Sequence, residues 1–170
     1  FFVKMKSKNS IRFENEILDY ILLRDSGNID FYPKIIDSNT SDFNYNIYKN
    51  IEADKISKRS FGVIFLNQIK EILIFFKNNQ IIHRDIRPHN ILVKQGKIFL
   101  LDFEHCIVKG QGVGDDFMLN RHYSPGLRIW DDAFSFKSIV EKYCCENFKN
   151  HATYNQICDL VGEYECDKSL

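Results

Sequence analysis

The sequence predicts an α+β fold on three observations. Two short apolar runs, Ile91-Leu92-Val93 and Ile98-Phe99-Leu100-Leu101, flank Gln95-Gly96 in the manner of a hairpin and its tight turn. Ahead of them, Ser60 to Asn79 carries apolar residues at helical spacing. Further strand-like segments, with one helical segment among them, lie ahead of that helix, and further helical ones follow the hairpin. With 170 residues, 44% of them hydrophobic, the chain has the size of one domain and ample material for a core.

Phe1-Phe2-Val3-Lys4-Met5 reads as a strand with a lysine near its end. From Ile11 to Leu23, Phe13, Ile17, Leu18, Ile21 and Leu22 recur at helical spacing, with Ser10 as N-cap and Ser26-Gly27 as the stop. Phe31 to Ile36 reads as a turn and strand, Thr40 to Asp42 as a turn, and Phe43 to Ile51 as another strand. Within Ser60–Asn79, Phe61, Phe65, Ile69, Ile72 and Phe76 share one side, and Leu66 and Leu73 widen it. Asn67, Gln68, Lys70 and Glu71 occupy the other side. Beyond the hairpin, Gly110 to Gly114 reads as a mobile glycine-rich loop. Asp132 opens a helix that runs through Phe136, Ile139, Val140 and Tyr143, and Tyr154 to Tyr164 offers the last one.

The loops flanking the hairpin hold the chemistry. A hairpin brings the chain back to the end where it began, so Asp85 and Asn90 before the first strand converge on Asp102 after the second. Two carboxylates and an amide oxygen make a hard-oxygen pocket, which suits magnesium and magnesium-bound phosphates.

At these residues the chain resembles the protein-kinase-like superfamily. His83-Arg84-Asp85 followed by Asn90 matches the catalytic loop HRDxxxxN, and Asp102-Phe103-Glu104 stands in the place of DFG. Spacing, order and the intervening hairpin all agree. The style is closest to small or atypical bacterial kinase-like phosphotransferases. The resemblance implies a kinase-like fold, with a partial β-rich N-lobe and hinge over residues 1–51 and a reduced helical C-lobe over residues 52–170. It implies ATP and Mg2+ as cofactors. Asp85 would then orient an acceptor hydroxyl and take its proton late in transfer. Arg87 would bring a planar cation towards the γ-phosphate. Asn90 and Asp102 would ligate magnesium, and Lys4 would hold the α- and β-phosphates. Tyr48, Lys49, Asn50 and Ile51 would form the hinge whose backbone holds adenine. Both Glu14 and Glu16 could pair with Lys4. At ~100° per residue only Glu14 falls within the apolar face, where a carboxylate needs a cation. The apolar residues Ile17, Leu18 and Ile21 also follow Glu14 at the family's intervals. His83 and Phe103 read as packing residues, and His89 and His105 have no partners at metal-ligand spacing.

Three features depart from the protein-kinase pattern. No glycine-rich phosphate loop precedes Lys4. With Phe1 in place of methionine, the expectation is a start further upstream, with the first strands and that loop missing here. Glu104 replaces a glycine, which removes backbone freedom and adds a carboxylate near the metal. Finally, the part after the activation segment is short. Tyr123-Ser124-Pro125-Gly126 resembles the end of that segment, with Gly126 where a glutamate is usual. Asp132, with Asp131 as a near alternative, resembles the aspartate that braces the HRD backbone. So short a helical part favours a compact acceptor, such as a sugar or glycan.

Composition removes other classes. Lysine plus arginine and aspartate plus glutamate both number 23, so no basic field suggests a nucleic-acid partner. No apolar run reaches the ~18 residues of a membrane span; Val63 to Phe76 is interrupted by Asn67, Gln68, Lys70 and Glu71. Five cysteines without a CxxC pair read as reduced thiols of a cytoplasmic protein. The expected function is Mg-ATP-dependent phosphoryl transfer to a hydroxyl on a sugar, small molecule or protein. A Ser/Thr protein kinase, favoured by Arg84 and Tyr123-Ser124-Pro125, is one rival. A pseudokinase scaffold is the other.

Overall fold

The structure, a computed structural model, describes residues 2–6, 31–33, 35–39, 44–49, 51–58, 62–108, 111–112, 131–144 and 146–162. Among them, helices and small antiparallel sheets form an α+β fold. Strands β1 (Phe2–Lys6), β2 (Ile35–Asn39) and β3 (Asn44–Tyr48) make the first sheet, in the order β1-β3-β2. The central strand β3 aligns Tyr48 with Phe2 and Asn46 with Lys4. Its register with β2 shifts between Ile35 and Asp37, so Ile36 is the extra residue of a bulge and is exposed. Lys4 therefore lies mid-strand and not near a strand end.

A second sheet joins β4 (Asp54–Lys55), β6 (Ile91–Lys94) and β7 (Lys97–Leu100), and a third joins β5 (Ile81–Ile82), β8 (Ile107–Val108) and β9 (Gln111–Gly112). The hairpin β6–β7 aligns Ile91 with Leu100 and Val93 with Ile98, which are all buried. Its two turn residues, Gln95 (φ 51°) and Gly96 (φ 78°), both lie in the left-handed region, as a type I′ turn requires. The outward edge of β7 is also used: Ile98 N–H donates to Gln68 Oε1 (2.6 Å) and Leu100 N–H to the Phe31 carbonyl (2.5 Å).

Helix α1 (Val63–Asn78) buries Phe65, Leu66, Ile69, Ile72, Leu73 and Phe76, the face that its periodicity predicts. Full burial of each such side chain contributes about 2 kcal/mol. The predicted start at Ser60-Phe61 lies outside the described residues, and the helix begins after Gly62. Its polar side is not all solvent. Gln68 holds β7, and Asn67 Oδ1 accepts from Thr153 Oγ1 (3.0 Å). The helix stops at Asn79, whose side chain donates back to the Phe75 carbonyl (2.9 Å), and at Gln80 in the left-handed region.

Helix α2 spans Asp132–Tyr143, α3 Glu146–Lys149 and α4 Ala152–Asp159. Both α2 and α4 pack against α1. Here the sequence reading needs correcting. The last helix begins at Ala152, capped by His151 Nδ1 on Thr153 N–H (3.2 Å), and not at Tyr154. Gln111-Gly112 is a strand and not part of a mobile loop. The expected helix over Ile11–Leu23, the turn at Thr40–Asp42 and the segment Tyr123–Gly126 lie outside the described residues. Among those described, no helix is long and apolar enough to cross a membrane.

Candidate active site

Two antiparallel pairs force two loops to run side by side. The chain passes from β5 through residues 83–90 into β6, and from β7 through residues 101–106 into β8. Because β5 pairs with β8 and β6 with β7, both loops are tied at both ends. They are stitched between as well: Leu101 N–H donates to the Asn90 carbonyl (2.9 Å), and His83 Nε2 lies 3.2 Å from the Leu101 carbonyl.

His83 is the packed centre of the first loop. Its ring stacks on Phe76 (centroids 6.5 Å) and meets Phe103 edge-on at 4.5 Å, while Phe103 meets Tyr32 at 5.8 Å. Its Nδ1 accepts from Asp85 N–H (3.2 Å), so the neutral tautomer with hydrogen on Nε2 satisfies both ring nitrogens. Burial pushes its pKa down to about 4, against a smaller upward pull from Asp102. The packing role read from the sequence for His83 and Phe103 is what the structure has.

Asp132 holds this loop from outside. Its Oδ2 accepts from His83 N–H (2.6 Å) and its Oδ1 from Arg84 N–H (3.1 Å). Of the two aspartates, Asp132 is therefore the brace. Asp131 caps α2 instead, through Oδ1 on Phe134 N–H (2.8 Å). Fixing two successive amides lets Arg84 adopt φ 69°, a conformation that costs a bulky residue roughly 1–3 kcal/mol.

Asp85 is almost fully buried. Its Oδ2 accepts from Asn90 Nδ2 (2.7 Å) and pairs with Arg87 Nη2 (3.0 Å). Its Oδ1 is buried with no partner. Burial raises its pKa, opposed by Arg87 and Asn90, and Asp102 raises it further. Pro88–Asn90 form a single 3-10 turn, with proline at its start, that presents Asn90 to Asp85. Asn90 Nδ2 also donates to the Asp85 carbonyl (3.1 Å), so both its hydrogens serve Asp85 and its amide oxygen is turned the other way. Arg87 keeps a buried Nε–H without a partner beyond its contact with Asp85.

Asp102 enters the second loop with φ 67°, which aspartate tolerates better than most residues. The 3-10 turn Phe103–His105 follows it. Glu104 sits inside this turn with no positive φ, so the freedom of a glycine is not needed there. Its buried carboxylate lies 3.2 Å from His105 Nε2. His105 in turn acts electrostatically on Asp85 and His83. The sequence reading assigned His105 nothing; an acid-histidine dipeptide within the apolar stretch Leu100–Val108 was the signal.

The structure thus brings Asp85, Arg87, Asn90 and Asp102 together. Lys4 lies on β1 beside β3, whose last residue is Tyr48, buried and bonded through its hydroxyl to Asn46 Nδ2 (3.2 Å). Lys49 is exposed, Ile51 half-buried, and Glu14 and Asn50 fall outside the described residues. Among the described residues, no group of three or more His, Cys, Asp or Glu side chains could hold a metal ion. An amide oxygen and one carboxylate, Asn90 and Asp102, are nevertheless hard donors of the kind that share Mg2+ with phosphate oxygens and water.

No protein-family model matches the chain. One of the curated proteins similar to it is the serine/threonine-protein kinase KSP1 of Saccharomyces cerevisiae, 28% identical over 102 residues. That stretch is 58% of this chain, and the chain spans about 10% of the yeast protein's length.

Proposed function

We propose that this chain is a Mg-ATP-dependent phosphotransferase with a kinase-like fold, acting on a hydroxyl acceptor. The observation that carries this reading is the state of Asp85. One carboxylate oxygen is held by Asn90 and Arg87, and the other is buried without a partner. A carboxylate fixed in this way is oriented for one further hydrogen, and its raised pKa improves it as a late proton acceptor.

Each neighbour has a defined task on this reading. Asp85 Oδ1 accepts the acceptor hydroxyl's hydrogen and aligns its oxygen for attack. Arg87 keeps donors for a phosphate oxygen while restraining Asp85. Asn90 Oδ1 and Asp102 would hold Mg2+, which supplies charge neutralisation across the phosphates. Lys4 would contribute a cation from the first sheet, braced by Glu14, and the chain over Tyr48, Lys49, Asn50 and Ile51 would line the adenine. Residues 1–51 would then form a partial N-lobe and residues 52–170 the C-lobe.

The likeness to a yeast Ser/Thr kinase favours a serine or threonine hydroxyl as acceptor. A sugar or glycan is the acceptor class that the sequence led us to expect. The test is thermal stability with ATP, with and without magnesium, in the parent and in Asp102→Ala. A ligand that binds only the native state raises stability by mass action, so the parent gains a magnesium-dependent shift that Asp102→Ala abolishes. A shift only in a longer chain would mean that upstream strands are essential, and no shift in either chain removes the enzyme reading and leaves a scaffold.

A further inference from the structure

Asp131 and Asp132 are adjacent, fully buried and tied to different parts of the chain. Asp132 takes the backbone amides of His83 and Arg84. Asp131 caps α2 with Oδ1, and its Oδ2 accepts the backbone N–H of Gly162 at 2.7 Å. Its carbonyl also receives Ser135 N–H (3.0 Å) and Ser135 Oγ (3.0 Å), so the first turn of α2 is closely pinned. Gly162 is no incidental donor. It follows the turn Leu160-Val161, whose amides return to the carbonyls of Ile157 and Cys158. Its φ of 90° is open to glycine and strained for other residues.

We propose that Asp131 and Gly162 are positioning residues for the Asp85 loop, making the turn after α4 part of the catalytic support. The argument is geometric. A carboxylate that receives a backbone amide is held by a charge-assisted bond, and a buried one that loses its donor incurs a desolvation cost. Removing the Gly162 bond takes one backbone donor from Asp131 Oδ2 at the first turn of α2. The adjacent residue, Asp132, is the one that clamps His83 and Arg84, two and one residues before Asp85. Motion of that turn therefore moves the clamp, and the clamp sets the backbone from which Asp85 projects. The proposal rests on the phosphotransferase reading for its functional meaning, and on hydrogen bonds alone for the coupling.

The experiment uses the full chain and two variants that break the same bond from opposite ends. Asp131→Asn keeps an oxygen for Phe134 N–H but turns an amide N–H towards Gly162. Gly162→Ala puts a side chain on a residue at φ 90°, which strains the turn that presents the donor, and leaves Asp131 intact. Thr153→Ala is the control, since it loosens α4 from α1 without touching Asp131. Amide hydrogen exchange at His83 and Arg84 is the primary readout. Both variants are expected to exchange there about tenfold faster than the parent, with the control unchanged. Faster exchange confined to residues 152–162, with His83 and Arg84 protected as in the parent, would overturn the proposal. In turnover, kcat falls by about tenfold while the KM for nucleotide stays put. Exchange needs no nucleotide, so a failure to bind Mg-ATP bears on the functional reading alone and leaves the coupling result standing.

Discussion

Asn90 donates both hydrogens of its side-chain amide to Asp85, one to the backbone carbonyl at 3.1 Å and one to the carboxylate at 2.7 Å. One side chain thus sets both the backbone and the rotamer of the candidate base, and neither contact uses its own amide oxygen. Replacing Asn90 by alanine removes both effects. Asn90→Ala is expected to lower stability by about 1–3 kcal/mol. Turnover should fall by about a hundredfold, since a misplaced base loses its alignment. Denaturant unfolding and steady-state kinetics on the same preparation check the two.

Asp85→Asn should have opposite effects on stability and activity. Burial and Asp102 both work against the ionised carboxylate, and a neutral amide escapes them while still accepting from Asn90 and Arg87. The variant is expected to gain about 1 kcal/mol at neutral pH and to lose phosphoryl transfer. A lower melting temperature than the parent would contradict this account of the loop.

His83 makes stability depend on pH. Its folded-state pKa of about 4 lies below the ordinary 6.5, so between those values the unfolded chain binds more protons than the folded one. Its contribution is fully present above pH 6.5 and is lost as pH falls towards 4. The shift corresponds to roughly 3 kcal/mol. Urea midpoints measured across that window should fall more steeply in the parent than in His83→Gln.

The hairpin turn offers a stabilising change. Gln95 occupies a left-handed position that asparagine adopts at lower cost, and Gly96 already supplies the second residue of an Asn-Gly turn. Gln95→Asn is expected to raise stability by about 0.5 kcal/mol, seen as a higher melting temperature. It touches neither loop of the site, so activity should not change.

Much of this arrangement was legible in the sequence because it depends on local pattern. The period of Phe65, Ile69, Ile72 and Phe76 marks a buried helix face, and Gln95-Gly96 between apolar runs marks a hairpin. The hairpin alone places Asn90 beside Asp102, since its ladder continues from Leu101 N–H to the Asn90 carbonyl. Two-residue strands such as β5 and β8 show no period, so their pairing, which closes the loops from the other side, could not be read. Nor could long-range bonds be read from residue type. Gln68 and Asn67 look like solvent-facing residues, yet they bind Ile98 and Thr153. The sequence left both Asp131 and Asp132 as candidates for one role, and only three-dimensional packing gives each its own. The left-handed backbone of Arg84 is likewise a consequence of Asp132, 48 residues away.

The central claim is that Asp85 serves transfer and not binding. Labelled ATP with magnesium, offered together with serine/threonine-bearing protein and simple sugars, tests it in the parent and in Asp85→Asn. The parent is expected to move the γ-phosphate onto one class of acceptor, which also identifies that acceptor. Asp85→Asn should bind nucleotide with parental affinity and transfer at least a hundredfold more slowly. Equal transfer by both proteins would contradict the role given to Asp85 and, with it, this account of the site.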